Sequence, residues 1–233
     1  MDLPYLSIII PVLNEQLLLA NLLEFLTNPK REGVEIIIVD GGSTDQTKHI
    51  AQSFPIRFIE CGKGNRAIQM NAGASESTGE VLYFLHADAI PPVNFYNDIQ
   101  MQIKQGYDMG SYRLQLGSTK DRKLSLNSYL TRVGWLIFQG GGDQSLFIKR
   151  SSFNQLGGYD PDYVIMEDFD FIRRARTKKF KWRVMNQSIQ VSARKYEANS
   201  YALVQFANLM AFSAFKLGVS PIKIKTMYHH LLK

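Results

Sequence analysis

Four short β-branched and apolar runs, Leu6 to Val12, Glu35 to Asp40, Ile56 to Cys61 and Val81 to His86, are separated by segments with helical spacing. Within them, Ile8-Ile9-Ile10 and Ile36-Ile37-Ile38-Val39 lack any polar alternation, which is the pattern of strands buried on both faces. Helices must then cover both sides of the sheet. The order β-α-β-α-β-α-β therefore predicts an α/β fold with a doubly wound, mostly parallel sheet. Leucines at helical spacing predict a helix over Glu15 to Leu26, and Ser43, Thr44 or Asp45 is placed to cap another over Thr47 to Gln52.

A chain of 233 residues suits one large domain or a domain with an appendage. Its 45% hydrophobic and 21% charged residues exclude disordered and multi-span membrane classes. Cys61 is the single cysteine, so no internal disulfide and no zinc-finger pairing is expected, and a reducing compartment follows. Met1 to Tyr5 carries no basic residue, and Pro11, Asn14 and Glu15 interrupt the apolar run that follows; no signal peptide is expected, and the expected location is cytoplasmic.

The net charge of +6 is unevenly placed, since from Phe171 onward thirteen Lys and Arg face one acid, Glu197. Such a tail suits a phosphate-rich partner, whether anionic lipid, nucleic acid or a diphosphate; the competing reading is a solvated basic face. A helix is predicted over Asp168 to Lys179. Ala198 to Phe215 has no charge but contains Gln205, Asn208 and Ser213, and at about 18 residues it barely reaches the length of a bilayer span. It reads as an amphipathic helix, buried or lying on a surface, followed by a break at Gly218 and a last helix after Pro221. Between Gly106 and Phe138 the pattern is less regular, and Gly140-Gly141-Gly142 reads as a loop.

In open α/β sheets the working residues lie on loops at the carboxyl ends of strands. Here those positions hold Pro11-Val12-Leu13-Asn14-Glu15, Asp40-Gly41-Gly42-Ser43-Thr44-Asp45 and His86-Ala87-Asp88. A carboxylate there can bind ribose or base N–H groups, or hold Mg²⁺ or Mn²⁺ beside phosphates; capping is the alternative, and for Asp45 the favoured one. Gly62-Lys63-Gly64-Asn65-Arg66-Ala67 fits the G-x-G-x-x-A dinucleotide fingerprint but follows the third strand rather than the first, so Lys63 and Arg66 suit a diphosphate better. Glu167 and Asp168 open a helix, where they gain from its dipole or, facing a crevice, take a proton from an attacking hydroxyl.

Together these elements resemble the family 2 glycosyltransferases with a GT-A fold. The resemblance rests on Ser7 to Glu15, Ile38 to Asp45, Gly79 to Asp88 with its variant D-x-D, and Gly157-Gly158-Tyr159 with Glu167-Asp168. Arg66 to Ala74, Leu85-His86-Ala87-Asp88-Ala89, Gly142-Asp143-Gln144 and Leu217 to Pro221 look like a small bacterial subgroup with a His-Ala-Asp motif.

The resemblance implies a Rossmann-like, mostly parallel sheet flanked by helices over residues 1–195, with a nucleotide-binding half of about 1–90 and an acceptor half of about 91–195, then a C-terminal helical extension over 196–233. It also implies an inverting, metal-assisted transfer of a sugar from a nucleotide diphosphate sugar to an acceptor hydroxyl. Pro11, Val12, Leu13, Glu15, Asp40, Arg66, His86 and Ala87 would hold the donor, and Asp88 a divalent Mg or Mn ion. Asp168 would be the base, with Gly142, Asp143, Gln144 and Glu167 on the acceptor side. His86 in place of the first Asp of D-x-D puts metal affinity and metal choice in question. The acceptor is open, lipid-linked or membrane-derived compounds among the candidates; no nucleic-acid partner is expected. The C-terminal helices are expected either to touch the inner face of the membrane or to pack, on the sheet or in a homodimer. Competing readings are an NAD-dependent oxidoreductase built on Gly62 to Ala67 and a non-catalytic nucleotide-sugar-binding protein.

Overall fold

The computed structural model describes residues 5–28, 31–62, 65–117, 145–194, 196 and 199–232. The strands are β1 (Leu6–Val12), β2 (Val34–Asp40), β3 (Arg57–Glu60), β4 (Val81–Phe84), β5 (Ala89–Ile90), β6 (Met109–Leu116), β7 (Leu146–Lys149) and β8 (Trp182–Val191). They form one sheet in the order β3-β2-β1-β4-β7-β6-β8-β5. From β3 to β4 every pairing is parallel, with Leu6 opposite Val34 and Val12 opposite Asp40. Beyond β4 the sheet is mixed: β7 runs antiparallel to both β4 and β6, β8 is parallel to β6, and β5 is antiparallel to β8. The parallel pattern read from the sequence thus covers the first half of the sheet.

All seven residues of β1 are buried, as its unbroken apolar run requires. Ile8 and Ile10 face one core and Ile9 the other, because successive side chains alternate across a strand. On the first face lies helix α1 (Leu19–Thr27), which buries Leu19, Leu22, Leu23 and Leu26, one face at helical spacing. It starts four residues later than the leucine pattern predicts. Glu15 stays outside the helix because its N–H is taken by Thr47 Oγ1 (2.8 Å) and its carboxylate by a distant arginine. Helices α2 (Thr47–Gln52) and α4 (Phe95–Lys104) complete this side, which contains Ala51, Phe95 and Ile99.

On the second face α3 (Arg66–Glu76) lies against β1 and β2, with Asn65 capping it by accepting the Ile68 N–H at 2.9 Å. Gly73 makes this approach possible: a Cβ there would sit 2.4 Å from Ile9 Cγ2. Helix α5 (Arg150–Leu156) ends at Gly157, which has φ +78°, the left-handed C-terminal conformation that favours glycine. The side-chain amide of Asn71 then closes a two-way bridge, donating to Tyr159 O (2.7 Å) and accepting from Tyr159 N–H (2.9 Å). This bridge fixes the segment leading to α6 (Glu167–Thr177).

Helices α7 (Tyr201–Lys216) and α8 (Pro221–Leu231) pack on each other. Gly218 breaks the chain between them at φ +73°, and Pro221 sits at the start of α8, where its missing N–H costs nothing. α7 buries Val204, Ala207, Ala211 and Phe215. It packs on Tyr163 and Phe169, with Phe169 to Phe212 ring centroids 5.4 Å apart, while Tyr201 at its start packs against the core on the first face of the sheet. Among the described residues no helix is long and apolar enough to cross a membrane.

Candidate active site

The loops after β1 and β2 are laced together at the carboxyl edge of the sheet. Asn14, in the left-handed region at φ +56°, donates its N–H to Ser43 Oγ (2.9 Å) and accepts the Thr44 N–H on Oδ1 (2.9 Å). Asp40, 5% exposed, accepts the N–H groups of Gly42 (3.2 Å) and Ser43 (3.0 Å) and the Ser43 hydroxyl. Asp45 lies one residue before the N-cap position of α2, where it accepts from the Thr47 N–H (3.0 Å) and from Gln16 N–H (3.2 Å). Burial works against its charge, but these bonds outweigh it and hold the carboxyl below its usual range.

Beneath these loops lies Gln69, a residue the sequence reading quotes but gives no role. Its buried amide donates to the carbonyls of Val12 (2.9 Å) and Val39 (2.7 Å), and so ties together the ends of β1 and β2. Gly41 lies directly over it: a Cβ there would be 3.0 Å from Gln69 Nε2, so the amide would have to shift. A lone amide on the apolar face of α3, among Ala67, Met70 and Gly73, is the sequence signal for such a strut.

Pro11 and Val12 are buried at the end of β1, while Leu13 is exposed beside them. Glu15 meets Arg194, which follows β8, in a two-pronged ion pair with both N···O distances 2.7 Å. The same guanidinium lies 4.0 Å from Asp88 Oδ2. Hydrogen bonding to Glu15 outweighs burial and raises the Arg194 pKa above its ordinary value. Arg194 is the second residue the sequence reading missed, because there it counted only as part of a basic tail.

His86 and Ala87 follow β4, with Ala87 buried and His86 half-buried. Burial, and then the positive charge of Arg66, hold the His86 imidazole well below the ordinary 6.5. Arg66, the first residue of α3, donates to Glu167 Oε1 at 3.0 Å. Glu167 and Asp168 are 5% and 8% exposed in the first turn of α6. Burial first, and then their charges, raise the hydroxyl pKa of Tyr159 well above 10. Gly142, Asp143 and Gln144 lie outside the described residues, as do Lys63, Gly64 and the glycine loop predicted at 140–142.

Around His86-Ala87-Asp88, then, two arginines meet carboxylates delivered by separate elements. Asp88 and Glu15 share Arg194; Arg66 reaches His86 electrostatically and Glu167 directly. Two arginines set among carboxylates at strand and helix ends suit a ligand that carries phosphates and polar hydroxyls. The Gly62 to Ala67 fingerprint follows β3, the edge strand of the sheet, rather than a central first strand.

Comparison with known proteins identifies the class. A glycosyltransferase of PGL/p-HBAD biosynthesis from Mycobacterium tuberculosis is 26% identical over 186 residues, covering 72% of this chain and 68% of that one. A mannosyltransferase from Pyrobaculum calidifontis, solved in complex with GDP-Man and Mn2+, superposes with a TM-score of 0.68 at 18% identity, over 98% of this chain and 69% of the other. Glucosyl-3-phosphoglycerate synthase from Mycobacterium tuberculosis, solved with Mn2+, UDP and glucosyl-3-phosphoglycerate, gives a TM-score of 0.62 at 15% identity, over 93% of this chain and 81% of the other. These structures share the GT-A fold. The model of the family described as Glycosyl transferase family 2 matches residues 7–157, which sets the oxidoreductase alternative aside: the chain belongs to that family and is a glycosyltransferase.

Proposed function

We propose that the enzyme transfers a sugar, with inversion, from a nucleoside diphosphate sugar to an acceptor hydroxyl. The observation that carries this reading is the pairing of Arg66 with Glu167 and of Arg194 with Glu15, with Asp88 at 4.0 Å from Arg194, at the ends of elements of one sheet. Pro11, Val12, Leu13, Glu15 and Asp40 line the nucleoside side, and Arg66, His86 and Ala87 the diphosphate side. Solved proteins of similar fold were captured with GDP-Man and Mn2+ and with UDP and Mn2+, which supports a donor of this class.

The donor set fits a divalent cation that comes with the nucleotide. Asp88 offers one hard oxygen ligand, and among the described residues no three His, Cys, Asp or Glu side chains gather into a metal cage. Mg²⁺ and Mn²⁺ at nucleotide sites typically take one or two carboxylates and complete their shell with phosphate oxygens and water. Such an ion neutralises the charge that collects on a departing diphosphate. His86, where the motif usually has its first Asp, leaves Asp88 as the anionic ligand of that motif.

Asp168 is the general base in this reading. Its place in the first turn of α6 stabilises the ionised carboxylate through the helix dipole. As the acceptor oxygen bonds to the anomeric carbon, the bond from that carbon to the phosphate oxygen breaks, and the hydroxyl proton passes to Asp168. Gly142, Asp143, Gln144 and Glu167 are assigned to the acceptor side.

A thermal-shift screen of UDP, GDP and their sugar conjugates, each with and without Mn²⁺, tests the donor class. Stabilisation by one nucleotide family, larger with Mn²⁺, is expected. No stabilisation by any of them overturns the reading, and tight donor binding with no transfer across a broad acceptor panel marks a non-catalytic binder.

We further propose that α7 and α8 rest on an anionic membrane surface at the cytoplasmic face, near a lipid-linked or membrane-derived acceptor. Phe206, Leu209, Leu217 and Ile222 are exposed, and no acid occurs from Tyr201 onward, while Lys216, Lys223 and Lys225 are exposed beside them. Each cation near an anionic surface contributes about 1 kcal/mol. Co-sedimentation with phosphatidylserine vesicles that weakens with salt, and falls on replacing Lys223 and Lys225 by Glu, is expected. Protein that stays in the supernatant at low salt and runs as a dimer without detergent shows instead that a second copy covers this face.

A further inference from the structure

Arg194 stands apart from the rest of the basic tail in what holds it. Its guanidinium is gripped at both prongs by Glu15, whose side chain is 15% exposed, while the Arg194 side chain is 46% exposed. Asp88 Oδ2 lies 4.0 Å from the same guanidinium, at the outer limit of an ion pair. The backbone beneath is shared: Ser192 N–H donates to Asp88 O (2.9 Å), continuing the β5 and β8 pairing. Arg194 is therefore tethered to the segment that carries Asp88, while its head is turned toward the end of β1.

The charge arrangement has a consequence for binding order. A divalent cation on Asp88 meets a guanidinium a few ångströms away, and the two repel one another. A diphosphate reverses the sign of that relation, because its oxygens accept from the guanidinium fork and bind the cation at the same time. On the donor reading given above, we infer that Arg194 is a donor-responsive positioning residue. It holds Glu15 while the diphosphate is absent, and turns its fork from Glu15 to the diphosphate when the donor enters. Metal and nucleotide then bind cooperatively: without the diphosphate, Arg194 opposes the metal, and with it, the two cations share one anion.

The two partners of the bridge separate this role from mere support. The full-length chain is titrated calorimetrically with UDP and GDP and with the matching nucleosides, uridine and guanosine, in EDTA, and separately with Mn²⁺ alone. In Arg194→Gln the ratio of diphosphate to nucleoside affinity is expected to fall by about tenfold, while the affinity for Mn²⁺ alone rises severalfold. In Glu15→Gln the same ratio is expected to rise, because the fork is released toward the phosphates; taking the ratio removes any effect of Glu15 on the nucleoside itself. A structural brace predicts losses in the same direction for both variants. An unchanged ratio in Arg194→Gln, or a shift of the same sign in the two variants, overturns the inference. If wild-type protein binds neither UDP nor GDP even with Mn²⁺, the donor reading itself fails and the inference falls with it.

Discussion

Arg66 Nη1 and Glu167 Oε1 are 3.0 Å apart, joining the first turn of α3 to the first turn of α6 across 101 residues of sequence. Glu167 is nearly buried and Arg66 half-exposed, so the carboxylate orients a cation that still faces the crevice. Arg66→Gln is expected to weaken UDP or GDP binding by about tenfold and leave uridine or guanosine binding unchanged. Calorimetry makes the comparison, and an equal loss for nucleoside and diphosphate places Arg66 at the base or ribose instead.

Asp88→Asn is expected to abolish the gain in nucleoside diphosphate affinity that Mn²⁺ provides while leaving the fold intact. Amide oxygen is a weaker ligand for a hard divalent ion than carboxylate. Unchanged affinity with Mn²⁺ in this variant removes Asp88 from the cation site.

Asp168→Asn should keep donor affinity and lose transfer by about 10²-fold or more, since only the proton acceptor is removed. Single-turnover transfer measured beside donor titration checks both halves. Wild-type turnover in the variant excludes Asp168 as the base.

Glu35 gives a stability prediction with a definite pH dependence. Its carboxylate accepts from the Ser7 hydroxyl (2.6 Å), the Thr78 N–H (2.6 Å) and the Gly79 N–H (3.0 Å), tying β1 and β2 to the start of β4. Burial favours the neutral acid, yet these bonds prevail and lower the pKa. A depressed folded-state pKa means the stabilisation is complete above the unfolded value of about 4.3 and disappears as pH falls through the folded value. Glu35→Gln is therefore expected to cost about 1–3 kcal/mol near neutral pH in urea unfolding. The gap should close in acid; a gap that persists there shows that the charge is not what stabilises.

Gly73→Ala sets two effects against each other. Alanine is the better helix former by about 1 kcal/mol, but the added methyl would sit 2.4 Å from Ile9 Cγ2 and 3.0 Å from Val39 Cγ2. Both neighbours are fully buried on central strands, so overpacking of about 1–3 kcal/mol dominates and the variant is expected to unfold earlier in denaturant. Wild-type stability would mean that α3 moves freely on the sheet.

The parallel half of the sheet was legible because its strands are apolar runs: Leu6–Val12 coincides with its predicted bounds, as does the short helix Thr47–Gln52 between two of the strands. Leu146–Lys149 carries no signal of direction, and only tertiary pairing sets it antiparallel between β4 and β6. Strand-end carboxylates could be read locally, since their position after a strand is the signal. Arg194 could not, because its partners Glu15 and Asp88 are more than a hundred residues away in sequence. Gln69 was hidden for a different reason, as its role is to two backbone carbonyls that leave no side-chain pattern.

Met166 precedes Glu167 and Asp168 with φ +65°, a conformation that costs a non-glycine residue about 1–3 kcal/mol and persists only where surroundings enforce it. The enforcing surroundings are distant in sequence: Met166 packs into the cluster of Ala211, Phe215 and Ile224, on α7 and α8. Those two helices lie beyond the family match at 7–157, yet they pack on the residue that precedes the first turn of α6. A substitution at Ile224 that loosened this packing would act next on Met166, and so on the backbone that leads into Glu167 and Asp168. The C-terminal helices thus touch, through Met166, the turn that carries Glu167 and Asp168.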